Sequence, residues 1–220
     1  MSVPPKRKLR IGVLLEAVQL SDIIGIDILG NLSQSYMSLV ESIGEEWAAF
    51  APQAIDMEFL FIANTLDPTE VTPGLRVVPT VTYDDCPRAL DMVLVGGPAP
   101  THRPEAADRF IREAWAQTRV WFTTCTGSMW LASSGVVDGL RCTTNRGMLE
   151  IARGMHPAVE WLDQRWVVEG KPFEGEGKGE LWTAGGAGAG GCFSDSSFLP
   201  CFPLSLHNLK IIANGTQAST

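Results

Sequence analysis

Residues 120–139, VWFTTCTGSMWLASSGVVDG, hold an apolar run, a short polar bend and a second apolar run, with Cys125 at the bend. The pattern predicts a strand that turns sharply into a helix. In open α/β sheets ligands sit outside the carboxyl ends of strands, so a thiol on such a turn is placed to react. The next backbone N–H, that of Thr126, would point toward the developing anion. The first helical turn would also set N–H groups and a positive dipole end beside the sulfur, which lowers a thiol's pKa. The plain alternative is a buried cysteine packing as a small apolar side chain. Two further segments favour reactivity. VLVGGPAP ends a strand in Gly96 and Gly97, whose bare backbone admits a close ligand. The N–H groups of Gly97 and Thr126 together would form an oxyanion hole. AVQLSDIIGIDILG puts Asp22 after the first strand, where it either caps a helix or shuttles the thiol's proton.

These residues need a scaffold, and the chain predicts one. Compact apolar runs at residues 10–16, 57–63, 91–97, 120–124, 165–170 and 180–186 read as strands. Residues 75–82 read as another, and Pro79 makes it an edge strand. Residues 21–43 carry Ile24, Ile28 and Leu32 at helical spacing. Residues 105–117 repeat Ala107, Phe110, Ile111, Ala114 and Trp115 at steps of three and four, an amphipathic helix with Pro104 near its start. Residues 147–155 read as a short helix. Strands alternating with helices predict an α/β domain, a mostly parallel sheet covered on both faces. Trp115, Trp121 and Trp130 fall on core-type faces.

Composition narrows the function classes. The chain has 220 residues, 45% hydrophobic and 19% charged, with a net charge of −8. That balance argues against nucleic-acid binding, which needs clustered Lys and Arg. The basic run KRKLR at residues 6–10 solvates the approach to the first strand. No apolar run reaches the roughly 18 residues of a membrane span, and no signal-peptide pattern is present, so a cytoplasmic protein is expected. Five cysteines at irregular spacing, with no CxxC, are expected as free thiols. Three scattered histidines leave no metal site. GAGAGG at residues 186–191 has neither a following helix nor an acidic residue about 20 positions on, so no dinucleotide cofactor is expected. His156 reads as a surface or capping residue, and His102, shortly after Gly97, as lining the pocket.

Taken together, VQLSDIIGIDILG, LVGGP and TTCTGSMWLASSGVVDGLRCTTN resemble the ThiJ/PfpI superfamily, within the class I glutamine-amidotransferase-like proteins. The branch they look most like is that of the isonitrile hydratases and their fungal relatives. The likeness runs from about residue 9 to about residue 190. It implies a flavodoxin-like three-layer sandwich, one domain over residues 1–190 and an atypical tail over residues 191–220. It implies Cys125 as nucleophile, Asp22 as the acid hydrogen-bonding the thiol, and Gly97 and Thr126 as backbone donors. Gly96, His102 and Asn145 would line the pocket. It also implies a homodimer, a small-molecule substrate and no cofactor.

The chain departs from the family pattern in three places. Many members carry Thr-Thr-His where this chain has Thr143-Thr144-Asn145, so a Cys–His dyad is missing there. Thr123 stands where smaller residues are common. After Gly190 the tail, with Pro200 and Pro203, shows no helical stripe. Three readings stay open: hydration of an isonitrile to an N-substituted formamide; another small-molecule hydrolase or lyase activity, amidase- or glyoxalase-like; and a non-catalytic redox-responsive protein.

Overall fold

A computed structural model describes residues 8–48 and 50–186; the atypical tail, Cys192, Cys201 and His207 lie outside them. Seven strands form the main sheet. β1 (Leu9–Leu14), β2 (Met57–Ala63), β5 (Val81–Thr82), β6 (Met92–Val95), β7 (Val120–Thr124) and β11 (Gly179–Ala184) run parallel. β10 (Trp166–Lys171) is antiparallel to β11. The order across the sheet is β10-β11-β7-β6-β1-β2-β5. Two small pairs lie outside it: the hairpin β3 (Thr69–Val71) with β4 (Leu75–Val77), and β8 (Arg141–Cys142) with β9 (Glu160–Trp161). The helices are α1 (Gly25–Gly30), α2 (Gln34–Glu41), α3 (Glu45–Ala48), α4 (Glu105–Ala114), α5 (Gly127–Ser133) and α6 (Leu149–Met155).

The central strands are apolar on both faces because both faces are covered. On one face Ile11, Val13, Met92, Leu94, Val120 and Phe122 pack with Ile23 and Leu29. On the other, Val93, Val95, Trp121 and Leu181 pack with α4, α5 and α6. α4 follows its sequence pattern closely: Ala107, Phe110, Ile111 and Ala114 are fully buried. Phe110 lies 6.0 Å from the Tyr83 ring and 6.4 Å from the Trp121 ring, centroid to centroid. Trp115, Trp121 and Trp130 are core residues, as their positions imply.

Two expectations change. Residues 21–43 do not form one helix on an Ile24–Ile28–Leu32 stripe. A short helical turn, Leu20–Ile23, leads into α1, and the chain then breaks before α2. The break has a local cause. Ile55 donates its N–H to the Leu32 carbonyl and accepts from Gln34, and the Ser33 hydroxyl caps α2 through the Tyr36 N–H. Those bonds replace helical ones, and the buried face moves to Ile23 and Leu29, leaving Ile24 51% exposed. Residues 75–82 also divide, at Pro79, into hairpin strand β4 and sheet strand β5. β5 is an edge strand, as the proline implied.

Lys171 joins β10 to the end of α4. Its buried ammonium donates to the carbonyls of Trp115, Thr118 and Pro172 at 2.6, 2.7 and 2.8 Å. Burial pulls its pKa down to about 8. Among the described residues no helix is long and apolar enough to cross a membrane.

The two helical stripes predict opposite responses to truncation. Phe110→Ala removes a fully buried ring and is expected to cost about 3–5 kcal/mol in urea unfolding. Ile24→Ala is expected to stay within about 0.5 kcal/mol of the parent. A larger cost at Ile24 than at Phe110 would contradict the packing.

Candidate active site

Only Cys125 and Thr126 separate β7 from α5. The turn is that short because Cys125 adopts φ 53°, in the left-handed region that side chains resist. Three threonine hydroxyls hold the corner. Thr124 donates to the Asp22 carbonyl at 2.8 Å, Thr126 to the Pro98 carbonyl at 2.7 Å, and Thr144 to the Cys125 carbonyl at 2.9 Å. Two glycines let it close. A Cβ on Gly127 would stand 2.3 Å from the Val95 carbonyl oxygen. A Cβ on Gly97 would stand 2.7 Å from the Thr126 nitrogen and 2.8 Å from the Cys125 Cβ. The close approach expected of a ligand at Gly97 is therefore made by the elbow itself. Gly96 is buried beside it, and a Cβ there would press on Val18 and Ile23.

Asp22 lies in the turn Leu20–Ile23 and is 4% exposed. It caps no helix. Its Oδ2 instead accepts the Gly97 N–H at 3.2 Å, and its charge acts on the Cys125 thiol. The half-buried sulfur accepts the Asn145 Nδ2–H at 3.6 Å, and that group and the Thr126 N–H both favour its thiolate. The site thus gathers Cys125, Asp22, Gly97, Thr126 and Asn145 from four separated segments. Of the two backbone donors, the Gly97 N–H already serves the carboxylate.

The electrostatics reverse the expected direction of the thiol's pKa. Burial and the Asp22 charge push it up, and together they outweigh the two N–H donors that pull it down. Burial and the neighbouring charge thus favour the protonated thiol over the thiolate.

His102 belongs to a neighbouring cluster at the same sheet edge. Its ring packs edge-on against Trp130 at 5.8 Å, with Nε2 3.5 Å from Glu16 Oε2. Glu16 also accepts the Asn64 N–H at 2.6 Å and the Tyr83 hydroxyl at 3.2 Å. Sequence reasoning passed over Glu16 and Tyr83; the available signal was a carboxylate closing an aliphatic strand run. His156 stands at the C-cap of α6, with Nε2 3.5 Å from the Ser133 hydroxyl, and burial lowers its pKa. Among the described residues no three His, Cys, Asp or Glu side chains group closely enough to hold a metal ion. Cys86, Cys125 and Cys142 are free thiols.

Comparison with known proteins bears on this geometry. A family profile described as DJ-1/PfpI family matches residues 33–188. An isonitrile hydratase from Pseudomonas putida is 37% identical over 93 residues, 41% of this chain and 40% of that protein. The chain therefore matches less than half of that relative's length. A deglycase PfpI from Pyrococcus furiosus is 30% identical over 114 residues, 50% of this chain and 68% of that protein. A ThiJ/PfpI family crystal structure from Pseudomonas syringae superposes with a TM-score of 0.62 at 19% identity. That superposition covers 96% of this chain and 71% of that one, and it shows the shared fold.

Because the Asp22 charge raises the thiol's pKa, neutralising it should lower that pKa. Asp22→Asn is expected to speed iodoacetamide alkylation of Cys125 near neutral pH, read by peptide mass spectrometry. Slower alkylation than in the parent would show that the carboxylate promotes, rather than suppresses, the resting thiolate.

Proposed function

This chain belongs to the DJ-1/PfpI family, and on that premise we propose that it hydrates an isonitrile to an N-substituted formamide through Cys125 and Asp22. One observation carries the reading: the buried Asp22 carboxylate, held by the Gly97 N–H, acts on the Cys125 thiol at the strand-to-helix elbow. Addition to an isonitrile needs that pairing, because sulfur and proton both end on the terminal carbon. Asp22 takes the thiol proton as sulfur attacks, and passes it to that carbon. The new C–S and C–H bonds give a thioimidate on Cys125. Asp22 then accepts a proton from water as the water oxygen adds to the same carbon. Asp22 passes that proton to the nitrogen, then takes the proton of the added hydroxyl and returns it to sulfur as the C–S bond breaks and the formamide leaves. Water is the only co-reactant.

The isonitrile hydratase relative supports this substrate. The raised pKa of the thiol speaks against a redox sensor, which works through an easily formed thiolate. The absence of histidine at position 145 speaks against amide hydrolysis, where a second acid must protonate the leaving nitrogen. The reading includes a small uncharged substrate, no cofactor, and the cytoplasmic homodimer that the resemblance implies.

The test is turnover of alkyl and aryl isonitriles beside methylglyoxal and simple amides. Hydration of the isonitriles is expected, with at least a hundredfold loss in Cys125→Ser and Asp22→Asn while circular dichroism stays unchanged. Unaltered turnover in either variant, or turnover confined to methylglyoxal or the amides, would overturn the assignment.

A further inference from the structure

Asn145 touches the reactive sulfur but has no means of taking its proton. Its orientation is fixed by a second bond: Oδ1 accepts the Gly147 N–H at 3.0 Å, capping the short turn Arg146–Met148. The NH2 end must then face Cys125, where Nδ2 stands 3.6 Å from Sγ. The preceding Thr144 hydroxyl holds the Cys125 carbonyl at 2.9 Å, so two adjacent residues grip the cysteine at sulfur and backbone. Arg146, next in sequence, is 82% exposed and paired with Asp163. The groups acting on the sulfur are thus Asp22, Asn145 and the Thr126 N–H, and of these only Asp22 titrates.

We propose that Asn145 makes this, among the described residues, a one-base site: its N–H steadies charge as it develops on sulfur, and leaves Asp22 as the only proton carrier among them. The inference rests on the roles of Cys125 and Asp22 given above. A histidine at this position would accept the thiol proton and rest as a thiolate–imidazolium pair. The proton would then be stored away from the carboxylate that delivers it to carbon. An amide N–H leaves the S–H intact at rest and stabilises sulfur only as charge appears. Asn145 therefore favours substrates that take sulfur and proton on one carbon, and disfavours acyl compounds whose leaving group needs a separate acid.

The experiment compares the parent with Asn145→Ser, Asn145→Asp and Asn145→His. Serine and aspartate retain a capping acceptor but offer no amide N–H to the sulfur. Two readouts are taken: the pH profile of Cys125 alkylation by iodoacetamide, resolved by peptide mass spectrometry, and turnover of an aryl isonitrile and of p-nitrophenyl acetate. In the serine and aspartate variants the alkylation inflection should move to higher pH and isonitrile kcat should fall about five- to tenfold. In the histidine variant a second inflection should appear near the imidazole range, with isonitrile turnover reduced and ester cleavage increased. Serine and histidine profiles that superimpose on the parent's would overturn the proposal, whatever happens to turnover. Shifted profiles with no isonitrile turnover in the parent would uphold the role of Asn145 and sink the substrate reading instead.

Discussion

A carboxylate buried beside a thiol is the constraint around which this structure is built. Asp22 and Cys125 lie 103 positions apart in the sequence, and neither can reach the other unless three things hold. β1, β6 and β7 must lie side by side, so that their carboxyl ends share one edge. Cys125 must bend into the left-handed region. The strand end at Gly97 must lie against the elbow with no side chain between them. Strain at one cysteine costs on the order of 1–3 kcal/mol, and it persists only where its surroundings over-determine it. Here they do, through three threonine hydroxyls and two glycine contacts.

That arrangement gives Gly97 a different job from the one its bare backbone suggests. Its N–H is bonded to the Asp22 carboxylate and helps hold that side chain in place. Burial, together with the charge of a carboxylate so held, pushes the thiol's pKa up. That balance suits the proposed addition, in which the proton is consumed, better than attack by a pre-formed thiolate.

The parts legible in the sequence were those written in short-range pattern. The α4 stripe is buried residue for residue, and the strand–bend–helix reading of residues 120–139 places Cys125 where the structure has it. Asp22 was visible as a carboxylate in the first loop. What stayed hidden were effects that arise between distant segments. The Ile24–Ile28 spacing has helical periodicity but faces outward, because Ile55 claims the hydrogen bonds that would have continued the helix. The two-residue strands β8 and β9 are too short to show a period. The cluster of Glu16, Tyr83 and His102 joins residues up to 86 positions apart. The direction of the thiol's pKa depends on how burial and one charge compare with two N–H donors, and no spacing rule encodes that balance.

The central claim is that the sulfur of Cys125 bonds to the substrate carbon as a thioimidate. Rapid-quench mass spectrometry during a single turnover of an aryl isonitrile reads this directly. The account predicts a transient adduct on the Cys125 peptide whose added mass equals the whole isonitrile, decaying to free enzyme as formamide appears. Full turnover with no adduct on that peptide, or with Cys125 already blocked, would contradict it.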